Sequence, residues 1–159
     1  MWIRTGLSAA IATCVFSTSS SAQVLMQRDV SLNMALMIAT TASAECGHNT
    51  SVAVVDRVGR LKVFLQGDYA SPTHLELARR KAYTALTFRR TSAEWAKRTE
   101  GTNPGQRMLT DVIPLGGGVP IMVGDDTIGA IGLSGAVGGQ PKEEACAMAG
   151  IGKVKDQLK

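Results

Sequence analysis

The chain places glycine where an ordinary strand excludes it. Gly116-Gly117-Gly118 interrupts an apolar run that starts at Ile113 and resumes from Pro120 to Val123. Gly129, Gly132, Gly135, Gly138 and Gly139 then recur through and beyond a second run at Thr127–Leu133. Glycine in a strand interior gives up side-chain packing and about 0.5–1 kcal/mol of backbone entropy, so it persists where the backbone must bulge or closely approach something. That something is a ligand, a packed helix or another protein backbone. A phosphate loop and a dinucleotide fingerprint are excluded, because no lysine-serine follows the glycines and no strand-to-helix step carries them. Aromatic residues make up only 4% of the chain against 17 glycines. Such a composition favours close backbone approach over bulky side-chain filling.

The remaining pattern supplies what the glycine-rich runs pack against. Ser31 to Cys46 reads as a helix capped by Ser31, with Ala35, Ile38, Ala39 and Ala42 at helical spacing and Gly47 as terminator. Ser51–Val55 and Leu61–Leu65 read as strands joined by the turn residues 56–60, a hairpin. Thr73 and Glu76 have capping-box spacing before a helix running to about Arg90, which buries Leu77, Ala78, Ala82, Ala85 and Leu86. Thr91 and Glu94 repeat that spacing before a short helix ending near Thr99. Gly101–Gly105 is a loop. Residues 124–126 turn into the Thr127–Leu133 strand, and Lys142 to about Leu158 closes the chain as a helix. Hairpins on both sides of the long helix predict one α+β domain, an antiparallel sheet of about five strands packed with helices.

The N-terminus has the pattern of an export signal: Arg4, an apolar stretch from Leu7 to Phe16, then small residues ending in Ser20-Ser21-Ala22. Cleavage after Ala22 leaves residues 23–159 as the domain, and periplasmic or secreted localisation follows. The apolar stretch is shorter than the roughly 20 residues of a membrane span. The full chain carries 17 Lys+Arg against 13 Asp+Glu, a net charge of +4. Loss of Arg4 reduces it to +3, too mild and too dispersed to predict nucleic-acid binding. Cys46 and Cys146 are the two cysteines beyond the signal. In an exported chain a disulfide is the natural reading, with two reduced, buried thiols as the alternative.

Residues able to carry chemistry are few. The two histidines are His48, in the turn 47–50, and His74, in the first turn of the long helix. A neutral imidazole at a pocket edge is a haem-ligand type of donor, whereas a turn or surface histidine needs no role. Arg79, Arg80 and Lys81 follow on that helix. Lys81 lies on the same side as His74 and Ala78, and Arg80 or Lys81 can meet a carboxylate through a charge-assisted contact. The other reading of these three is a solvated charged face. Ser134, in Gly132-Leu133-Ser134-Gly135, lacks the spacing of a nucleophile elbow. Two histidines without an acid at a fixed offset specify neither a triad nor a metal site. Glu143 and Glu144 suit the helix dipole at the start of the last helix. No catalytic residue is assigned, and a binding role is favoured over an enzymatic one.

The phrases VAVVDRVGRL (Val52–Leu61), ARRKAYTA (Ala78–Ala85), LGGGVPI (Leu115–Ile121) and GAIGLSGAVGG (Gly129–Gly139) make the chain resemble the GlcG/HbpS-like family of small haem-binding proteins. The resemblance covers about Ser31 to Val154 and implies a profilin-like (PAS-like) domain, haem or a related tetrapyrrole as cofactor, and a homo-oligomer. It implies a cleft between the long helix and the glycine loops, with Arg80, Lys81, Gly116, Gly117, Gly118, Ser134 and Gly135 as ligand-binding residues and His74 as the axial candidate. Family members often read proline-histidine-threonine where this chain reads Pro72-Thr73-His74. The histidine is displaced by one position, about 100° around a helix. Two further functions stay open: a sensor or carrier of a small organic acid in the same cleft, and a purely structural oligomer whose glycines serve subunit packing.

Overall fold

A computed structural model describes residues 22–159, so the proposed signal falls almost entirely outside the described residues. The elements in chain order are α1 (Leu32–Cys46), β1 (Ser51–Asp56), β2 (Leu61–Gln66), α2 (His74–Phe88), α3 (Ser92–Gly101), β3 (Gly118–Val123), β4 (Asp126–Ser134) and α4 (Gly139–Gly152). Short 3₁₀ turns occupy Pro104–Met108 and Lys155–Gln157. The four strands form one antiparallel sheet in the order β2-β1-β4-β3.

Both faces of the sheet are covered, so every residue of β1 is buried. On one face lie α1 and α4, which bury Ile38, Ala42, Cys146 and Ala147 against Val52, Val54, Ile131 and Leu133. This large-side-chain layer is the main core. On the other face α2 crosses β4, β1 and β3, and there the chemistry is inverted. Register aligns Phe64, Ala53, Gly132 and Gly118 in a row across the sheet, and α2 meets that face with Ala78, Ala82 and Ala85. A Cβ on Gly132 would stand 2.2 Å from the Ala78 carbonyl oxygen, and one on Gly118 would stand 2.1 Å from that of Lys81. The helix backbone therefore rests directly on the sheet backbone, a separation only glycine permits.

Several sequence expectations need correction. The sheet has four strands rather than about five. Ile113–Leu115 is not a strand, because the Leu115 amide turns back to the Ile113 carbonyl at 2.9 Å and the Ile113 amide is taken by Thr84 Oγ1 at 2.9 Å. Gly117, at φ +107°, then redirects the chain so that pairing starts at Gly118. Thr73 does not cap α2: its backbone is already helical at φ −71°, ψ −19°, and its hydroxyl lies 3.2 Å from that of Ser71. The capping box at Thr91 and Glu94 does form, as does the Ser31 cap on the Met34 amide. The last helix starts at Gly139, earlier than expected, with Pro141 in its first turn where the missing N–H removes no bond. Cys46 and Cys146 are bridged, joining the end of α1 to α4 across 100 residues of chain.

Candidate functional site

The expected cleft between α2 and the glycine loops is filled, since α2 occupies it in van der Waals contact. What the loops surround instead is a buried ion pair. Lys81 projects from α2 and Glu143 from α4, from opposite sides of the sheet; their side chains are 3% and 5% exposed, with Nζ 2.5 Å from Oε2. Nζ also donates to the Leu133 carbonyl at 3.0 Å, and the Gly135 amide donates to Glu143 Oε1 at 2.7 Å. Gly117 makes room for the carboxylate, because a Cβ there would fall 2.7 Å from Oε2. The neighbouring amides are held as well: Gly116 N–H by Gln140 Oε1 at 2.6 Å and Gly118 N–H by Ser92 Oγ at 2.8 Å. The triple glycine thus lets three elements and one ion pair meet at the end of the sheet. Lys81, expected to receive a ligand carboxylate, already holds one from its own chain.

The adjacent cations are engaged in the same way. Arg79 pairs with Asp111 at 2.6 Å. Arg80 donates from Nη2 to the Val112 carbonyl at 2.6 Å and from Nη1 to Glu76 at 3.3 Å. Its buried Nε has no hydrogen-bond partner among the described residues. Ser134 is buried opposite Ser51 in the β1–β4 register, and the Ser51 hydroxyl is likewise buried without a partner.

His74 sits over Gly135, whose absent side chain makes room for the ring; a Cβ there would lie 2.4 Å from Nδ1 and from Cε1. The Ser71 amide donates to His74 Nδ1 at 3.2 Å. An accepting Nδ1 assigns the proton of the neutral ring to Nε2, so neither nitrogen has a free lone pair. Coordination of iron by His74 requires the Ser71 bond to break. His48 is arranged differently. It is exposed at the end of a groove of about 290 Å³ walled by Thr40, Ser43, Ala44, Leu65 and Gly67. Among the described residues no donor occupies either ring nitrogen, and Asp68 Oδ2 stands 3.9 Å from Nδ1. In the neutral ring, whichever nitrogen is unprotonated is therefore free to offer its lone pair.

The sequence reading gave two of these residues no role in the site. Glu143 reads as a dipole-compensating residue at a helix start, yet positions 143, 146, 147 and 150 are the buried stripe of α4. That periodicity was available in the sequence and places the carboxylate inward. His48 had no such signal, since a histidine in a turn carries no periodicity. Among the described residues no group of three or more His, Cys, Asp or Glu is placed to hold a metal ion, and no helix is long and apolar enough to cross a membrane.

Comparison with known proteins bears on the fold and the family. A family model described as "Haem degrading protein HbpS-like" matches residues 28–152. The crystal structure of HbpS is 31% identical, superposes with a TM-score of 0.78, and covers 85% of this chain and 96% of its own. The PduOC:haem complex shares the fold with a TM-score of 0.67 at 21% identity, over 79% of this chain and 94% of that one. A 15.0 kDa Citrobacter freundii protein encoded between dhaT and dhaS is 32% identical over 90 residues, 52% of this chain and 61% of that relative's length.

Proposed function

The chain belongs to the HbpS-like family, and from that premise we propose that it is an exported, non-catalytic protein that binds haem or a related tetrapyrrole. The single observation that carries the site reading is the contrast between the two imidazoles. His48 offers a ring nitrogen without a competing donor beside a groove walled by Ala44 and Leu65, whereas His74 is held by the Ser71 amide. The donor chemistry of His48 fits haem iron, which is commonly held by a neutral imidazole. His48 therefore replaces His74 as the leading axial donor. Bound haem supplies an iron centre for electron or ligand exchange; the chain supplies the donor and the apolar wall. A neighbour of the same fold, PduOC, is known as a haem complex, which supports the ligand class. The bridged Cys46 and Cys146 support export, since disulfides persist in oxidising compartments. Homo-oligomers belong to the same proposal, but the strand glycines do not support them, Gly118 and Gly132 being covered by α2 and Gly129 by Val30 and Val55 of their own chain.

Haemin titration of the oxidised protein tests this reading, with His48→Ala and His74→Ala in parallel. A saturable shift of the haem absorption band that His48→Ala weakens and His74→Ala leaves unchanged is the expected result. Weakening by His74→Ala alone returns the axial role to His74. Absence of a saturable shift removes haem as the ligand. Bleaching of several equivalents of haemin per protein on adding ascorbate in air, faster than for haemin alone and with peroxide scavenged by catalase, would show turnover and overturn the non-catalytic assignment.

A further inference from the structure

A second groove lies at the C-terminal end of α2, the end opposite His74. It encloses about 260 Å³ and is lined by Arg57, Val58, Tyr83, Leu86, Thr87, Arg89 and Thr127. We infer that it binds a small monocarboxylate whose body is apolar or aromatic. The two arginines divide the work. Arg57 is fixed by one nitrogen only: Nη1 donates to Asp126 Oδ1 at 2.7 Å and to the Arg28 and Thr127 carbonyls at 3.2 and 3.4 Å. Among the described residues its Nε and Nη2 have no acceptor, so an oriented pair of donors remains for a carboxylate, the geometry in which arginine binds most strongly. Asp126 cancels the charge of Arg57. Arg89 makes no ion pair among the described residues, so it is the cation of the lining that is left for a monoanion, while Asp29, which accepts from the Arg57 amide at 3.0 Å, disfavours more highly charged anions.

The walls select what the anion is attached to. Tyr83 and Leu86 face the groove one helical turn from Thr87 and Arg89. The β1–β2 turn lies against the tyrosine ring, since a Cβ on Gly59 would fall 2.6 Å from it. The ring is therefore held as a wall, and the Tyr83 hydroxyl has no partner among the described residues. Arg89 occupies the left-handed region at φ 52°, where glycine or asparagine is usual. That conformation ends α2 and turns the chain at the groove. The carbonyl end of a helix repels an anion, but the Phe88 carbonyl is covered by Arg90 Nε at 3.1 Å. About 260 Å³ admits a molecule the size of benzoate, and neither histidine lines the groove, so this site does not depend on the haem reading.

The test is a titration of the ¹⁵N-labelled, oxidised protein with benzoate at low ionic strength, then with inorganic phosphate. Saturable benzoate shifts confined to the amides of Val58, Thr87, Arg89 and Thr127 are expected. Arg89→Gly suits the left-handed backbone and so folds. Removing its charge-assisted contact should weaken binding about tenfold or more, with Arg89→Lys intermediate. Benzoate shifts that fail to saturate, or that persist in Arg89→Gly, overturn the site. Saturation by phosphate but not benzoate overturns the carboxylate assignment.

Discussion

Replacing Lys81 with methionine isolates what the buried ion pair contributes. At 2.5 Å and an effective dielectric of 20, the Coulomb attraction is about 7 kcal/mol. Desolvating each ion opposes it by several kcal/mol, so the pair as a whole is close to neutral for stability. Removing one partner is a different matter. Lys81→Met keeps most of the side-chain volume but leaves Glu143 charged, 5% exposed and compensated only by the Gly135 amide. It also strips the Leu133 carbonyl of its Nζ donor. The expected loss is about 3–5 kcal/mol, a large part of a typical domain's total stability. Glu143→Leu should cost about as much, through the stranded ammonium. The double variant removes both charges and should be no less stable than either single one, with a coupling energy of at least about 2 kcal/mol. Urea denaturation reads this through Trp95, which is buried and stacked on Phe88 at 4.8 Å between ring centroids. Additive losses in the double variant, or a single-variant loss below about 1 kcal/mol, would refute the reasoning.

Four further outcomes rest on the same structure. Gly132→Ala puts a methyl group 2.2 Å from the Ala78 carbonyl, so α2 must lift by about 1 Å; a loss of about 3 kcal/mol by thermal or urea denaturation is expected, and tolerance would mean the helix is not seated on the sheet backbone. Reducing the Cys46–Cys146 bridge, which spans 100 residues, should lower stability by roughly 4 kcal/mol, with the midpoint shift measured with and without dithiothreitol. Burial raises the Asp56 pKa, but hydrogen bonds from the Arg60 amide and side chain and the Val58 amide outweigh it, so the net shift is below the ordinary value of 3.8. A depressed carboxylate stabilises the fold above the unfolded pKa, and that contribution disappears as pH falls through the folded one; Asp56→Asn should flatten the loss of stability below about pH 4. Glu144 has the opposite sign: burial and then Glu94 raise its pKa above 4.5 against the pull of Lys97, so Glu144→Gln should gain slightly at neutral pH.

The local structure of this chain was legible because local rules govern it. Ser31 and Thr91 cap their helices, the stripe Ala35, Ile38, Ala39 and Ala42 is the buried face of α1, and the β1–β2 hairpin turns through residues 57–60. The glycine runs also announced that something comes close to the backbone. Its identity was undecidable from sequence, because a missing Cβ records a distance and not the identity of the neighbour; register and helix placement made it the α2 backbone at Gly118 and Gly132 and the Glu143 side chain at Gly117. Likewise ARRK reads as a ligand-facing basic cluster until Glu143, 62 residues on, proves to be the acceptor of Lys81. Histidine identity was fixed by composition, but its chemistry rests on which nitrogen a distant or turn-bound amide occupies, and Ser71 settled that for His74. Periodicity and capping are properties of a few consecutive residues and survive in the sequence alone. Charge pairing, tautomer and close packing arise between segments that only the folded chain brings together.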